Sequence, residues 1–553
     1  MIEVNLSSGE KLNFEDDVFP ETFLDKFGVD KEKILALRVN NEICPIYKKI
    51  DINSYVEPVM LNSTEGSAIY RRSLCFVLAT ASHNIFPQKR LLVGHSLGHG
   101  YYYTIDGYGS TNQEELSQDD IDKLKKEMKR LIDENLTIKQ NRISYSDAVK
   151  LFENLNLVET RRQLNFTCPS KFIVNTLENF SDLYFGPLVL KTGVLKVFDI
   201  IKYNEGFLLR FPSTEKPEQL SKFEDIPKLF NIYKEYKQWG KRLNVTSVAA
   251  LNELVSNRKT KEFIDITEML QARQIAKIAD SISNAKDVRM VLMAGPSSSG
   301  KTTSSKKLAL QLRCLGYTPR VVELDTYYVD RSRTPRDEKG EYDYECLEAL
   351  DVEQLNKDLI DMFQGKEVAM PSYNFKEGKR FYTGKTIKLE KNDILVMEGI
   401  HGLNDKLTPL IPREQKFKIY LSALTQLNLD DHNRIPTSDN RLIRRIVRDS
   451  QFRGKSAAET IKMWPSVQRG ERLYIFPFQD KADAMLNTAL DYELAVLKVF
   501  AQPLLRRVSP LEKEYAEADR LIRFLNAFCQ IPVTDVPGQS ILREFVGGSE
   551  FKY

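Results

Sequence analysis

Residues 295–302 read GPSSSGKT, a spacing of small, cationic and hydroxyl residues suited to holding phosphate. Gly295, Gly300, Lys301 and Thr302 fill the fixed positions of G-x-x-x-x-G-K-[ST]. Glycines let backbone N–H groups curl around an anion, Lys301 reaches the β- and γ-phosphates, and the Thr302 hydroxyl ligates Mg²⁺. Pro296, Ser297, Ser298, Ser299 and Thr303 complete the expected nucleotide-binding set. The helix that follows directs its positive end at the same anion. The pattern therefore implies a nucleotide, ATP or GTP, with Mg²⁺.

Further residues of the same character follow at strand ends. Asp325 stands just past RVVEL, at the sheet edge where ligands sit in open α/β folds. A carboxylate there can accept a proton from an attacking hydroxyl, or it can simply cap the next turn. Glu398 follows ILVM directly, where a second acid can hold Mg²⁺ through water. In DNRLIRRIVRDSQFRG, Arg441, Arg444, Arg445 and Arg448 share one helical face. Like charges on one face repel, with only Asp439 and Asp449 nearby to relieve them. A face closing over phosphates, with Arg444 and Arg448 catalytic and Arg445 on the nucleotide, accounts for that cost.

The elements that must position these groups are legible from periodicity. RMVLMA suits a buried strand, and KTTSSKKLALQLRCLG an amphipathic helix ending at Gly316. RVVEL and ILVM add strands of a parallel sheet with helices on both faces. The 553 residues carry 42% hydrophobic and 28% charged side chains and a net charge of only +3, a globular profile without the excess charge of a general nucleic-acid or membrane-surface binder. The first residues lack an apolar signal core, and no apolar run reaches membrane-spanning length, so a cytoplasmic location without membrane contact is expected. The six cysteines are scattered without CxxC, which predicts reduced, mostly buried thiols and no structural zinc.

At the front, IEVNL, a Ser-Ser-Gly turn and KLNF read as a hairpin, and ILALRVNNEICPI as a second strand pair around Asn-Asn. This segment, 1–64, resembles a TGS domain, the β-grasp module that opens threonyl-tRNA synthetases. Residues 65–245, with IYRRSLCFVLATASHNIFPQKRLLVGHSLGHGYYYTIDG, resemble the α+β second additional domain of threonyl- and alanyl-tRNA synthetases. That family holds an editing metal with H-x-x-x-H and C-x-x-x-H. Here those positions carry Arg72, Phe76, Tyr184 and Leu188, which cannot bind a divalent cation. His95 and His99, near His83, are expected to make ordinary hydrogen bonds. The domain could be a scaffold, a regulatory pocket or an RNA-contacting relic. Residues 246–286 read as a helical linker.

Residues 287–553 resemble the uridine kinase branch of the uridine kinase–phosphoribulokinase family. The resemblance rests on GPSSSGKT, Asp325-Thr326-Tyr327-Tyr328, YDYECLEALD, Pro371-x-Tyr373-Asn374-Phe375, Glu398-Gly399-Ile400 and the run Asp439 to Asp449. It implies a P-loop kinase in which Asp325 is the general base toward a ribose 5′-hydroxyl. It implies that Asp343 holds the ribose hydroxyls, and that Tyr328, Tyr373, Phe375, Arg380 and Arg441 line the acceptor site. Thr302 and Glu398 would hold the metal. Two positions depart from the family: Gly378 stands where a histidine reads the pyrimidine, and Tyr344 replaces the histidine of F-D-H-P. Ribose and phosphate machinery is kept while base recognition changes.

The sequence thus implies a nucleoside-like acceptor phosphorylated at its 5′-hydroxyl. Another small hydroxyl substrate of the same superfamily is an alternative, as is a nucleotide-dependent RNA- or ribosome-binding regulator suggested by the N-terminal half. Against a guanine-reading switch, the near match Asn356-Lys357-Asp358 lies in a helical pattern. Homo-oligomerisation stays open. Residues from about 510 read as a C-terminal helix and tail without an assigned role.

Overall fold

The computed structural model describes residues 1–107, 113–285, 287–338, 340–374 and 376–552. Contacts divide the chain into two units. The first takes residues 1–257, 426–435 and 505–529, and the second takes 258–425, 436–504 and 530–553. The division falls inside the stretch expected as a linker, and the helix Tyr515–Leu525 folds with the first unit.

The first unit opens with a five-stranded mixed sheet. Its outer hairpin pairs Ile2–Leu6 with Lys11–Phe14, as the sequence pattern predicts. The second hairpin, Ile34–Val39 with Glu42–Cys44, turns at Asn40 and Asn41, whose φ angles of 48° and 64° suit asparagine. The 22-residue helix Thr64–Ile85 then runs through a core bounded by two antiparallel sheets. The positions that hold the metal in the synthetases are packed shut. Phe76 and Tyr184 meet edge to face at 5.4 Å, Leu188 is buried, and Arg72 Nη1 donates to the Pro187 carbonyl at 2.9 Å. His95 is buried and stacked on Tyr233, and burial pulls its pKa to about 3, so it stays neutral.

The second unit is a parallel sheet in the order Thr318–Glu323, Asp393–Glu398, Met290–Ala294, Lys416–Ser422, Ala484–Asn487. Successive side chains of the central strand point to opposite faces, and the packing follows. Met290 and Leu292 join Leu395, Met397 and Leu355 of helix Val352–Phe363 on one face. Val291 and Met293 join Ile275 and Ile278 of helix Thr260–Asn284 and Leu308 and Leu312 of helix Lys301–Cys314 on the other. Both faces are covered, which is why every residue of Met290–Ala294 is buried. Helix Lys301–Cys314 stops before Gly316, whose φ of +90° favours glycine.

All six cysteines are unpaired. Cys44, Cys75 and Cys346 are buried, but Cys168, in the loop before strand Lys171–Leu177, and Cys314, the last residue of helix Lys301–Cys314, are exposed. Among the described residues no helix is long and apolar enough to cross a membrane. Truncating Leu292, fully buried at the sheet centre, is expected to cost about 3 kcal/mol through lost burial and the cavity left behind. Urea unfolding of Leu292→Ala, followed by tryptophan fluorescence, reads this as a lowered midpoint.

Candidate active site at the edge of the parallel sheet

The loop after strand Met290–Ala294 turns sharply because its residues allow it. Gly295 lies so close to the neighbouring strand that a Cβ there would meet the Leu421 carbonyl at 2.3 Å. Ser298 and Gly300 adopt φ of +58° and +78°, and the helix starts at Lys301. Lys301 Nζ curls back to donate to the carbonyls of Gly295 and Pro296 at 3.1 and 3.2 Å.

Two strand-end acids face this loop. Thr302 Oγ1 donates to Glu398 Oε1 at 2.7 Å. Burial lifts Glu398 to about 7 against the pull of Lys301, and Asp325 adds to the rise. Asp325 sits in the 3-10 turn Leu324–Tyr327 that follows strand Thr318–Glu323. Burial raises its pKa too, while Lys301, Arg453 and Arg448 lower it. Thr302 and Glu398 are hard oxygen donors side by side. No group of three His, Cys, Asp or Glu side chains among the described residues could hold a metal alone. Such a partial shell fits Mg²⁺, which keeps waters and takes the rest of its ligands from substrate phosphates.

The arginine face closes on the loop itself. From helix Thr437–Phe452, Arg441 donates to the Ser297 carbonyl at 3.1 Å, Arg444 to the Ser298 carbonyl at 3.2 Å and Arg445 to Ser297 Oγ at 2.8 Å. Its repulsion is relieved by more than Asp449. Arg441 is paired bidentately with Glu471, and Arg444, fully buried, with Glu493. These two carboxylates arrive from later segments that the helix pattern could not show. Arg445 and Arg448 both lean on Asp449. Burial and the neighbouring Arg453 pull Arg448 down to about 10.

Of the residues expected at an acceptor, Asp343 is buried, accepts from Tyr474 Oη at 3.4 Å and lies 3.5 Å from Arg469. Tyr328 donates to the Tyr344 carbonyl at 3.2 Å, and its ring is 5.5 Å from that of Tyr373. Arg380 is turned to Asp351 at 2.8 Å. Phe375 lies outside the described residues. The departure at Gly378 has a structural counterpart: with φ of +69°, it abuts Arg331, whose Cβ and Nε lie 2.7 Å from where a Cβ would be. Arg331 Nε donates to Tyr344 Oη at 3.1 Å, so the two departures touch a common residue.

Several site residues carried no sequence signal. Glu471 accepts from the Ser297 N–H at 3.2 Å, and Glu544 accepts from the Thr303 N–H and hydroxyl at 3.1 and 2.7 Å. Glu345 follows Asp343 and Tyr344. Burial raises it to about 7, Arg445 opposes the rise, and Glu471 and Asp325 add to it.

Two measurements test these electrostatics. Glu493→Gln leaves the buried Arg444 charge without its partner and is expected to cost about 3 kcal/mol in denaturant unfolding. Glu398 and Glu345 hold protons in the folded chain up to about 7 but lose them near the ordinary 4.5 when unfolded. The folded state therefore binds more protons between those values, and stability falls as pH rises through that window. The slope is at most about 1.4 kcal/mol per pH unit per group. Unfolding midpoints of the ligand-free protein between about pH 5 and 7 should show this decline, and Glu398→Gln should flatten it.

The description Phosphoribulokinase / Uridine kinase family is matched by residues 290–495. A uridine kinase of Ligilactobacillus salivarius is 31% identical over 205 residues, which cover 37% of this chain and 87% of that protein. The N-terminal region matches threonine–tRNA ligases. That of Thermoplasma volcanium is 29% identical over 201 residues, and that of Thermotoga petrophila 28% over 212. The matches cover 35% and 37% of this chain but span only 29% and 31% of the two ligases' own length. A solved structure described as a possible uridine kinase from Bacillus stearothermophilus shares 18% identity with a TM-score of 0.27, covering 39% of this chain and 98% of that one. With its phosphate loop, strand-end acids and arginine helix inside the matched segment, the chain belongs to the phosphoribulokinase / uridine kinase family.

Proposed function

We propose that the second unit is a nucleoside kinase that transfers the γ-phosphoryl group of ATP or GTP to the 5′-hydroxyl of a nucleoside-like acceptor. The observation that carries this reading is Asp325, held at the sheet edge in the field of Lys301 and beside the Thr302–Glu398 pair. A carboxylate so placed takes the hydroxyl proton as the acceptor oxygen bonds to the γ-phosphorus and the bond to the β-phosphate bridging oxygen breaks. Lys301, released from its loop carbonyls, together with Arg448, balances charge on the transferred group. Thr302 and Glu398 would hold Mg²⁺, which neutralises the phosphates when bound. Arg441 and Arg444 act by fixing the loop's carbonyls, and Arg445 by fixing Ser297.

Asp343, with Tyr328 and Tyr373 nearby, is the proposed ribose-side contact. Arg331 beside Gly378 changes the base end of the site, so the preferred base need not be uracil. This leaves room for another hydroxyl acceptor of the superfamily. The reaction is proposed to run in the cytoplasm. The likeness of the N-terminal region to threonine–tRNA ligases supports RNA as a second partner, through surfaces other than the closed metal site.

The test is phosphorylation of a nucleoside panel with Mg-ATP and Mg-GTP. A 5′-monophosphate product is expected, and Asp325→Asn should lower kcat by about 10²- to 10⁴-fold while nucleotide affinity stays near wild type. Failure of every nucleoside, with nucleotide still bound, would remove the acceptor assignment.

A further inference from the structure

The first turn of the P-loop helix has backbone N–H groups without intrahelical partners, and its positive end faces the nucleotide site. In this chain the turn already carries an anion. Glu544, from the short C-terminal helix Arg543–Val546, places Oε2 3.1 Å from the Thr303 nitrogen and 2.7 Å from its hydroxyl oxygen. The segment around it is seated firmly. Ile541, Leu542 and Phe545 are fully buried, and Ile541 Cγ2 lies 2.6 Å from where a Cβ on Gly300 would stand. The Arg444 guanidinium covers the Phe545 ring at 5.0 Å, and Lys306 donates to the Lys552 carbonyl. Ser299 and Thr303 are 0% exposed. Lys301 and Thr302, which serve the β- and γ-phosphates, stay half-buried, so only part of the loop is covered.

One pair of donors cannot serve a carboxylate and a phosphate at once, and two anions in contact exclude each other. We propose that residues 540–546 form an intramolecular plug of the nucleotide site, with the Glu544 carboxylate standing where a donor phosphate would sit on Thr303. Nucleotide binds to the conformation with the plug lifted, and apparent affinity is reduced by the fraction of molecules in that conformation. Whatever holds the tail away from the loop activates the kinase. The proposal rests on the reading of the P-loop as the donor site. A carboxylate serving only as a static helix cap would stabilise the fold without opposing nucleotide.

The test uses the full chain and a non-hydrolysable ATP analogue with Mg²⁺, titrated by calorimetry. Glu544→Gln keeps the shape and removes the charge, and it is expected to tighten binding by about tenfold or more. In the wild-type protein, hydrogen exchange at residues 540–546 is expected to speed up when nucleotide saturates the site. This arm stands even if the variant folds poorly. Equal or weaker binding by Glu544→Gln, or a tail that keeps its protection with nucleotide bound, overturns the plug and leaves the kinase reading intact. If neither wild type nor Glu544→Gln binds nucleotide at about 1 mM, the donor-site reading itself fails, and the plug falls with it.

Discussion

A helix cannot satisfy the N–H groups of its own first turn, and here that turn is placed at the edge of a covered parallel sheet. The surroundings of the phosphate loop answer this one constraint. The loop's amides face carboxylates, Glu471 on Ser297 and Glu544 on Thr303. Its carbonyls face cations: Lys301 takes those of Gly295 and Pro296, and Arg441 and Arg444 take those of Ser297 and Ser298. The left-handed conformations at Ser298 and Gly300 turn successive peptide units in opposite senses, which lets a short loop present amides to one side and carbonyls to the other.

Arginine suits the carbonyl side because its planar fork can meet a carboxylate and a carbonyl together. Arg444 does so, with Glu493 on one edge of the guanidinium and the carbonyls of Ser298 and Thr488 on another. Lysine could not supply that many fixed donors. Two further carboxylates, Glu398 and Glu345, keep an elevated affinity for protons because they are buried, and nearby acids add to the effect: Asp325 for Glu398, Glu471 and Asp325 for Glu345. Anionic and cationic groups are thus brought close without full neutralisation, a condition that a phosphate and a divalent cation would relieve together.

The phosphate loop, both strand-end acids and the arginine face were legible in the sequence because each is local: a turn, a strand boundary, a helical repeat. The β-hairpins of the first unit were legible for the same reason, down to Asn40 and Asn41 in the turn. The partners of these groups were not. Thr303 meets Glu544 across 241 positions, Arg444 meets Glu493 across 49 and Arg441 meets Glu471 across 30. A glutamate in a helix interior looks the same whether it faces water or a buried guanidinium, so only tertiary packing separates the cases. The arginine face illustrates the limit. Its unusual charge density was visible, but what it closes on, the backbone of the loop, was set by segments that periodicity does not connect. Arg331 behind Gly378 is a similar case, since the missing histidine was visible and its replacement was not.

The chain's path has a consequence for how its parts can be inherited or separated. Residues 426–435 leave strand Lys416–Ser422 and return to helix Thr437–Phe452, yet they fold with the first unit. There the buried Asp431 accepts from Arg90 and from the backbone N–H groups of Glu159 and Thr160. Residues 505–529 do the same, and the Ala527 carbonyl accepts from Gln163 and Asn252. The two units alternate along the sequence, so each is completed by segments that lie beyond parts of the other. No single cut releases either one whole, because each excised half would keep apolar or charged pieces whose partners stayed behind. A cut after residue 257 therefore strips the first unit of residues 426–435 and 505–529, which complete its fold, and leaves them attached to the second.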